Sequence, residues 1–387
     1  MRVALVHDWL DVPGGGELVL ARFMRLFPDA DTFTLVDFLS DTERARIGLR
    51  RTIPTGVQQW PAARRWFRAI AVLYPQAIER IDLRGYDLVL SDSHAIAKGV
   101  RTHAGQMHIC YCHTPARFAW DMADIYERSG PLRLPFAQRF ASRAFARFRR
   151  WDQQRAQAVS QYIANSRHVA QLIQECYGRA AKVVYPPVEW DRFSLPSAGL
   201  ARGDHYVTLT RLVPYKRIDL LIEAFRKMPD RELRIVGDGP EYRALRVRAP
   251  INVKMLGRLD DEDAARHVAS ARAFLHIAKE DFGIATVEAQ GAGVPVIGYG
   301  EGGTAEIVRD LREARPTGVL FDEQSAAAIV AAVQRFEDHR VDINPDTCRE
   351  NAKRFSPARF DREIMDIVDA TREESSKSGT RTQALVR

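Results

Sequence analysis

The stretch from Ala273 to Ile297 constrains the fold more than any other. An apolar run of strand length, Ala273-Phe274-Leu275-His276-Ile277-Ala278, ends in the polar Lys279-Glu280-Asp281-Phe282 and turns at Gly283. A helical pattern follows from about Ile284 to Ala292. Strand, loop and helix in that order form the repeating step of an α/β sheet. Glu280 stands where the first backbone N–H groups of the helix emerge, and Glu288 lies about two turns further down. Those N–H groups and the helix dipole favour an anion such as a diphosphate. The two carboxylates can only accept hydrogen bonds, as from sugar hydroxyls on either side of that diphosphate. A sugar–diphosphate–ribose ligand fits the pattern, although an acidic pair eight residues apart also occurs on solvated helix faces.

The same step recurs along the chain. Val3-Ala4-Leu5-Val6-His7-Asp8 is a strand pattern, followed by Pro13-Gly14-Gly15-Gly16-Glu17 and a helical pattern through Phe27. Gly15 and Gly16 let backbone approach a ligand without side chains in the way, though a plain flexible turn would read the same. The dinucleotide fingerprint Gly-x-Gly-x-x-Gly is absent. Tyr206–Arg211 and Leu212–Arg217 precede a helix from Ile218, placing Arg211 and Lys216 where they converge on a phosphate. Arginine grips such oxygens in pairs, and lysine adds a point charge. Two stretches bring histidines to strand ends: Tyr86–His94, with His94 as a candidate cleft wall, and His108–His113 before Thr114-Pro115.

At 387 residues the chain exceeds what one core usually serves, so two domains are expected. The boundaries read as a first domain over 1–190 and a small, polar linker over 191–204. A second domain spans 205–345, a terminal helix over 346–372 packs back on the first, and 373–387 is expected to be disordered.

Glu280-x7-Glu288 followed by Gly291-Ala292-Gly293-Val294-Pro295-Val296-Ile297 resembles the signature of the family 4 retaining glycosyltransferases. His113-Thr114-Pro115-Ala116-Arg117-Phe118-Ala119-Trp120-Asp121 resembles a segment of a subgroup that includes mannosyltransferases of O-antigen and exopolysaccharide assembly. The resemblance implies an α/β fold of the GT-B type, two Rossmann-like doubly wound domains facing across a cleft. It implies catalytic roles for His113, Arg211, Lys216 and Glu280. Donor binding would fall to Gly15, Gly16, Gly257, Arg258, Asp281, Phe282, Gly283, Ile284 and Glu288. The donor expected is GDP-mannose, held without a cofactor or metal, and the acceptor a lipid-linked glycan. Asp29-Ala30-Asp31 spells a metal-binding motif of other glycosyltransferases, but it sits at a helix end where a turn needs polar residues.

A net charge of +7 calls for an anionic partner. From Arg128 to Trp151 there are seven arginines and no Asp or Glu; Arg139, Arg143, Arg147 and Arg150 repeat at helical spacing beside Phe136, Phe140, Phe148 and Trp151. A nucleic-acid groove or a solvated face would look alike. The resemblance favours an anionic membrane surface over nucleic acid, with Trp60–Ile70 as a second basic, aromatic segment. No apolar run approaches the ~18 residues of a membrane span. The N-terminus reads as fold rather than signal peptide, so the expected location is cytoplasmic and peripheral on the inner membrane face. The cysteines at 110, 112, 176 and 348 show no disulfide spacing. The first two lie near histidines, but on an apolar strand they read as small hydrophobes rather than zinc ligands.

Overall fold

The computed structural model describes residues 1–12, 14–67, 74–103, 105–120, 135–193 and 202–384. Asp121, Arg128, Arg133, Pro13 and most of the expected linker lie outside them. Two compact units are present, one formed by Met1–Pro186 with Phe360–Arg387 and the other by Pro187–Arg359.

The first unit contains a parallel sheet of β1 (Val3–His7), β2 (Asp31–Thr34), β3 (Ile53–Pro54), β4 (Leu88–Ser93), β5 (Met107–Cys112), β6 (Gln161–Ala164) and β7 (Ala181–Val183). Their spatial order is β3-β2-β1-β4-β5-β6-β7. Side chains alternate across it: Val3 and Leu5 enter one apolar cluster, Ala4 and Val6 another on the opposite face. Both faces are covered, so the central strands β1, β4 and β5 are buried at every position, as in parallel sheets generally. Cys110 and Cys112 are buried free thiols in a third cluster with Val169 and Ile173 of the helix Arg167–Tyr177.

The last helix, Pro357–Ala384, packs on this unit. Phe360 meets the rings of Phe23 and Tyr111, Ile364 and Val368 join the same cluster, and Arg22 Nε donates to Asp361 at 2.6 Å. Its backbone stays helical to Ala384, through most of the stretch whose polar composition suggests disorder. Low apolar content argues against a core of its own, but a helix already anchored by three turns of packing can continue beyond it.

The second unit holds β8 (Tyr206–Leu209), β9 (Leu233–Val236), β10 (Val253–Gly257), β11 (Ala273–His276), β12 (Val296–Tyr299) and β13 (Gly318–Phe321). Its order is β10-β9-β8-β11-β12-β13, again all parallel. Helix starts are well marked, with Asp260 and Ser325 accepting from backbone N–H groups three residues on. In each unit the chain reverses direction of winding once, between β1 and β4 and between β8 and β11. Crevices beyond the C-terminal ends of such neighbouring strands are where open α/β sheets bind ligands.

One surface expectation changes. Arg143, Arg147 and Arg150 are exposed along the helix Pro135–Ala156, but Phe148 is buried and Trp151 packs so closely on Gly99 that a Cβ there would overlap its ring. Those aromatics belong to the core, because arginine-rich helices still need an apolar face to dock. Asp31 is structural: it accepts from Tyr86 Oη at 2.6 Å.

Candidate functional site

In the second unit, polar groups collect beyond β8 and β11. Gly283 has φ +103 and caps the helix Ile284–Gly291 without a side-chain bond, and the Thr286 N–H turns back to Gly283 O at 3.0 Å, so the N–H groups of Ile284 and Ala285 are those a ligand could meet. The loop before it is stitched to residues 300–303. Glu280 O accepts from Gly303 N at 2.8 Å, Lys279 pairs with Glu301 at 2.8 Å, and a Cβ on Gly303 would lie 2.2 Å from the Phe282 backbone.

Lys216 forms an ion pair with Glu280. Both sit largely out of solvent, and Lys216 is delivered by a tight turn that ends at Arg217, a non-glycine residue in the left-handed region at φ +52. Such strain persists where surrounding structure enforces it, often at functional positions. Three buried polar atoms without hydrogen-bond partners, His276 Nε2, Thr286 Oγ1 and Thr304 Oγ1, surround Gly283, all within 3.8 Å of where its Cβ would stand. Burial, aided by the charge of Lys216, pulls the His276 imidazole down to about 3, so it is neutral.

The other predicted donor residues are less tightly grouped. Arg211 follows β8 with an exposed guanidinium that makes no hydrogen bond or ion pair with the described residues. Glu288 lies down the helix, where burial pushes its carboxyl up to about 7 despite Arg192 at 3.9 Å. Asp281 and Ile284 are half-buried beside Gly283. Phe282 is buried edge-on against Phe355, 5.4 Å between centroids, so only its backbone is left to meet a ligand. Gly257, at φ +72, and the exposed Arg258 end β10, two strands from the crossover.

In the first unit, His7, Asp92 and His113 meet at the ends of β1, β4 and β5. Asp92 bonds His113 Nε2 at 2.6 Å and His7 Nδ1 at 2.9 Å. Asp8, beneath them, accepts four backbone N–H groups from His94 to Ala97 and pairs with His94 Nδ1 at 3.0 Å. Gly16 lies at the start of the helix Gly15–Leu26, and a Cβ there would stand 3.6 Å from His113 Nε2. Burial alone would lower His7, but the hydrogen bond and charge of Asp92, with Glu17 and Asp8, raise it to about 9. Burial would raise Asp92, but His113 and His7 outweigh it and hold it at about 2. Among the described residues no group of three or more His, Cys, Asp or Glu side chains is placed to hold a metal ion.

His7, Asp92, His276, Thr286 and Thr304 are the residues that motif reading passes over. The signal that could have found His7, Asp92 and His276 is a polar residue at or next to the C-terminal end of a buried parallel strand.

Comparison with known families covers both units. "Glycosyltransferase Family 4" matches residues 13–192 and "Glycosyl transferases group 1" matches residues 202–355. The chain belongs to the family 4 glycosyltransferases. A GDP-mannose-dependent alpha-(1-6)-phosphatidylinositol monomannoside mannosyltransferase of Mycolicibacterium smegmatis is 32% identical over 196 residues, 43% of this chain and 50% of that protein. A GDP-mannose-dependent monoacylated alpha-(1-6)-phosphatidylinositol monomannoside mannosyltransferase of Corynebacterium glutamicum is 40% identical over 114 residues, 26% and 30% of the two chains. The chain thus spans about half the length, or less, of these curated relatives. Among solved structures, Anabaena Alr3699/HepE in complex with UDP-glucose superposes with a TM-score of 0.69 at 19% identity, over 96% of this chain and 100% of that one. That likeness fixes the GT-B fold of this glycosyltransferase. No helix among the described residues is long and apolar enough to cross a membrane.

Proposed function

We propose that this glycosyltransferase retains configuration while moving mannose from GDP-mannose to a lipid-linked oligosaccharide or polysaccharide precursor at the cytoplasmic membrane face. The observation that carries the reading is the Lys216–Glu280 pair beside the uncapped start of the helix Ile284–Gly291. When a donor enters, its diphosphate takes the place of the Glu280 carboxylate on Lys216, with Arg211 as second cation. Glu280, released, accepts from a sugar hydroxyl, and Glu288 accepts from the ribose. Fixed positive charge at the departing diphosphate is stabilisation that a metal supplies elsewhere, and it acts most where water is excluded. His113 faces the acceptor hydroxyl, and no protein nucleophile is required. The mannose donor and lipid acceptor are supported by what the two curated relatives are named for. A UDP-sugar donor is the alternative, supported by the UDP-glucose held in the structural neighbour.

Thermal shift of the purified protein with GDP, GDP-mannose, UDP and UDP-glucose separates the two, with GDP release as the second readout. GDP and GDP-mannose are expected to stabilise most, and transfer to be unaffected by EDTA. Stabilisation by UDP ligands alone would move the assignment to the alternative donor.

A further inference from the structure

The imidazole–carboxylate array at the β1/β4 crossover contains residues to which neither the donor site nor the family signature gives a role. Strand pairing creates it. Parallel register sets His7 opposite Asp92, and Cys112 opposite Ser93, so His113 emerges one residue beyond, next to the same carboxylate. The His113 backbone is pinned on both sides: its N–H donates to Ser93 O at 2.8 Å, and its carbonyl accepts from Asn165 Nδ2 at 3.0 Å. Asp92 is 1% exposed and spends one oxygen on each ring. His7 is wholly buried, with Nε2 unpartnered and 4.0 Å from Glu17 Oε1, whereas the His113 side chain keeps 14% of its surface open.

An ionised carboxylate only accepts hydrogen bonds, so each ring nitrogen facing Asp92 must carry a proton. We propose that Asp92 is a positioning residue for His113: it holds the Nε2–H tautomer and leaves Nδ1 as the hydrogen-bond acceptor for a substrate hydroxyl, with His7 fixing the second carboxylate oxygen. The substrate part of this assignment rests on the reading of the chain as a glycosyltransferase acting on a hydroxyl acceptor.

The charged surroundings fit. The groups facing the array are Asp8, Glu17 and His94 besides its three members. Asp8 is consumed by four backbone N–H groups and His94, so it does not compete for His113. Burial, opposed by Asp8 and assisted by His7 and His113, pushes His94 down to about 4. His7, raised to about 9, is a cation that balances Asp92 near neutral pH. Fixing the tautomer of a working imidazole through its far nitrogen is a common task for a buried carboxylate.

The test begins with the unmodified protein. A histidine-selective long-range proton–nitrogen correlation spectrum at neutral pH is expected to show His113 protonated at Nε2 and bare at Nδ1, assigned by comparison with His113→Gln. A bare Nε2 would overturn the proposal whether or not GDP-mannose is the donor. In Asp92→Asn the amide can present N–H to the ring, so the Nε2–H population is expected to fall. GDP release from GDP-mannose should then drop by roughly 10²-fold or more, while KM for GDP-mannose changes by less than about threefold. An Asp92→Asn protein that is folded, keeps the wild-type His113 tautomer and retains its pH–rate profile would equally overturn it. Failure of wild-type protein to turn over GDP-mannose would count against the donor reading, and the spectrum would still decide the tautomer.

Discussion

Glu288 makes a prediction whose size follows from its surroundings. Its carboxyl ordinarily titrates near 4.5 and here near 7, because burial penalises the charge more than Arg192 relieves it. A carboxyl raised on folding costs nothing while both states are protonated. The cost grows as pH climbs from the unfolded value toward the folded one, and it is complete above about 7. The gap between 4.5 and about 7, at about 1.36 kcal/mol per pH unit, amounts to about 3 kcal/mol at pH 8. Glu288→Gln mimics the protonated form. It should match wild type near pH 4.5 and exceed it at pH 8, raising the melting temperature of the Pro187–Arg359 unit by roughly 6–12 °C. The ligand should reverse the advantage. A hydroxyl that donates to Glu288 favours the ionised form, so binding of GDP to wild type near pH 7 should release a proton and binding to the variant should not. Calorimetric titration in buffers of different ionisation enthalpy reads that proton, and scanning fluorimetry across pH reads the stability. A difference in melting temperature that is the same at pH 4.5 and pH 8 would refute the argument.

Three further outcomes are expected. Lys216→Ala should lower turnover of GDP-mannose by ~10²-fold or more, as loss of one preorganised charge stabiliser does; near-wild-type turnover would remove Lys216 from the diphosphate. Gly303→Ala puts a Cβ 2.2 Å from the Phe282 backbone, so it should cost about 1–3 kcal/mol and weaken GDP binding by dislocating the loop before Gly283; unchanged urea midpoint and affinity would show that the loop yields. If Arg143 and Arg147 meet an anionic bilayer, changing both to Glu should cut co-sedimentation with phosphatidylglycerol vesicles steeply, since each basic residue contributes ~1 kcal/mol there and salt screens it. Sedimentation equal to wild type in a folded double variant would place the docking face elsewhere.

Local patterns carried much of the architecture. The strand, loop and helix around Gly283 are legible because an apolar run, a polar break and a helical stretch follow one another within 25 residues, and His113 is legible because it directly follows the last residue of β5. The terminal helix could be read from its apolar spacing at Phe360, Ile364, Ile367 and Val368, all of which are buried. The Asp92 array was not legible, since its members are separated by 85 and 21 residues and meet only when β1, β4 and β5 lie side by side. The same limit applies to Phe148 and Trp151: helical spacing says they share a helix with the arginines, but only the burial of Phe148 in the core and the packing of Trp151 against Gly99 say which way they point. Lys216 and Glu280 were each readable as ligand contacts, while their pairing with each other depends on β8 and β11 being neighbours across the crossover.

Each crossover places uncompensated polar groups at strand ends, yet the two ends have opposite chemistry. Beyond β8 and β11 stand Lys216, the exposed Arg211 and an uncapped helix start, all of which stabilise negative charge. Lys216 is paired there with the Glu280 carboxylate, which a stronger anion can displace. Beyond β1 and β4 the fixed groups are Asp8 and Asp92 with three imidazoles, a set that distributes protons and offers a phosphate little. Asp8 is the clearest sign of this: four backbone N–H groups that could have formed an anion cradle are already occupied by a carboxylate of the chain itself. The first unit therefore fills this cradle internally and leaves His94 and His113 as partly open imidazoles, groups that exchange hydrogen bonds with a neutral partner. The second unit leaves its anion site to be filled from outside.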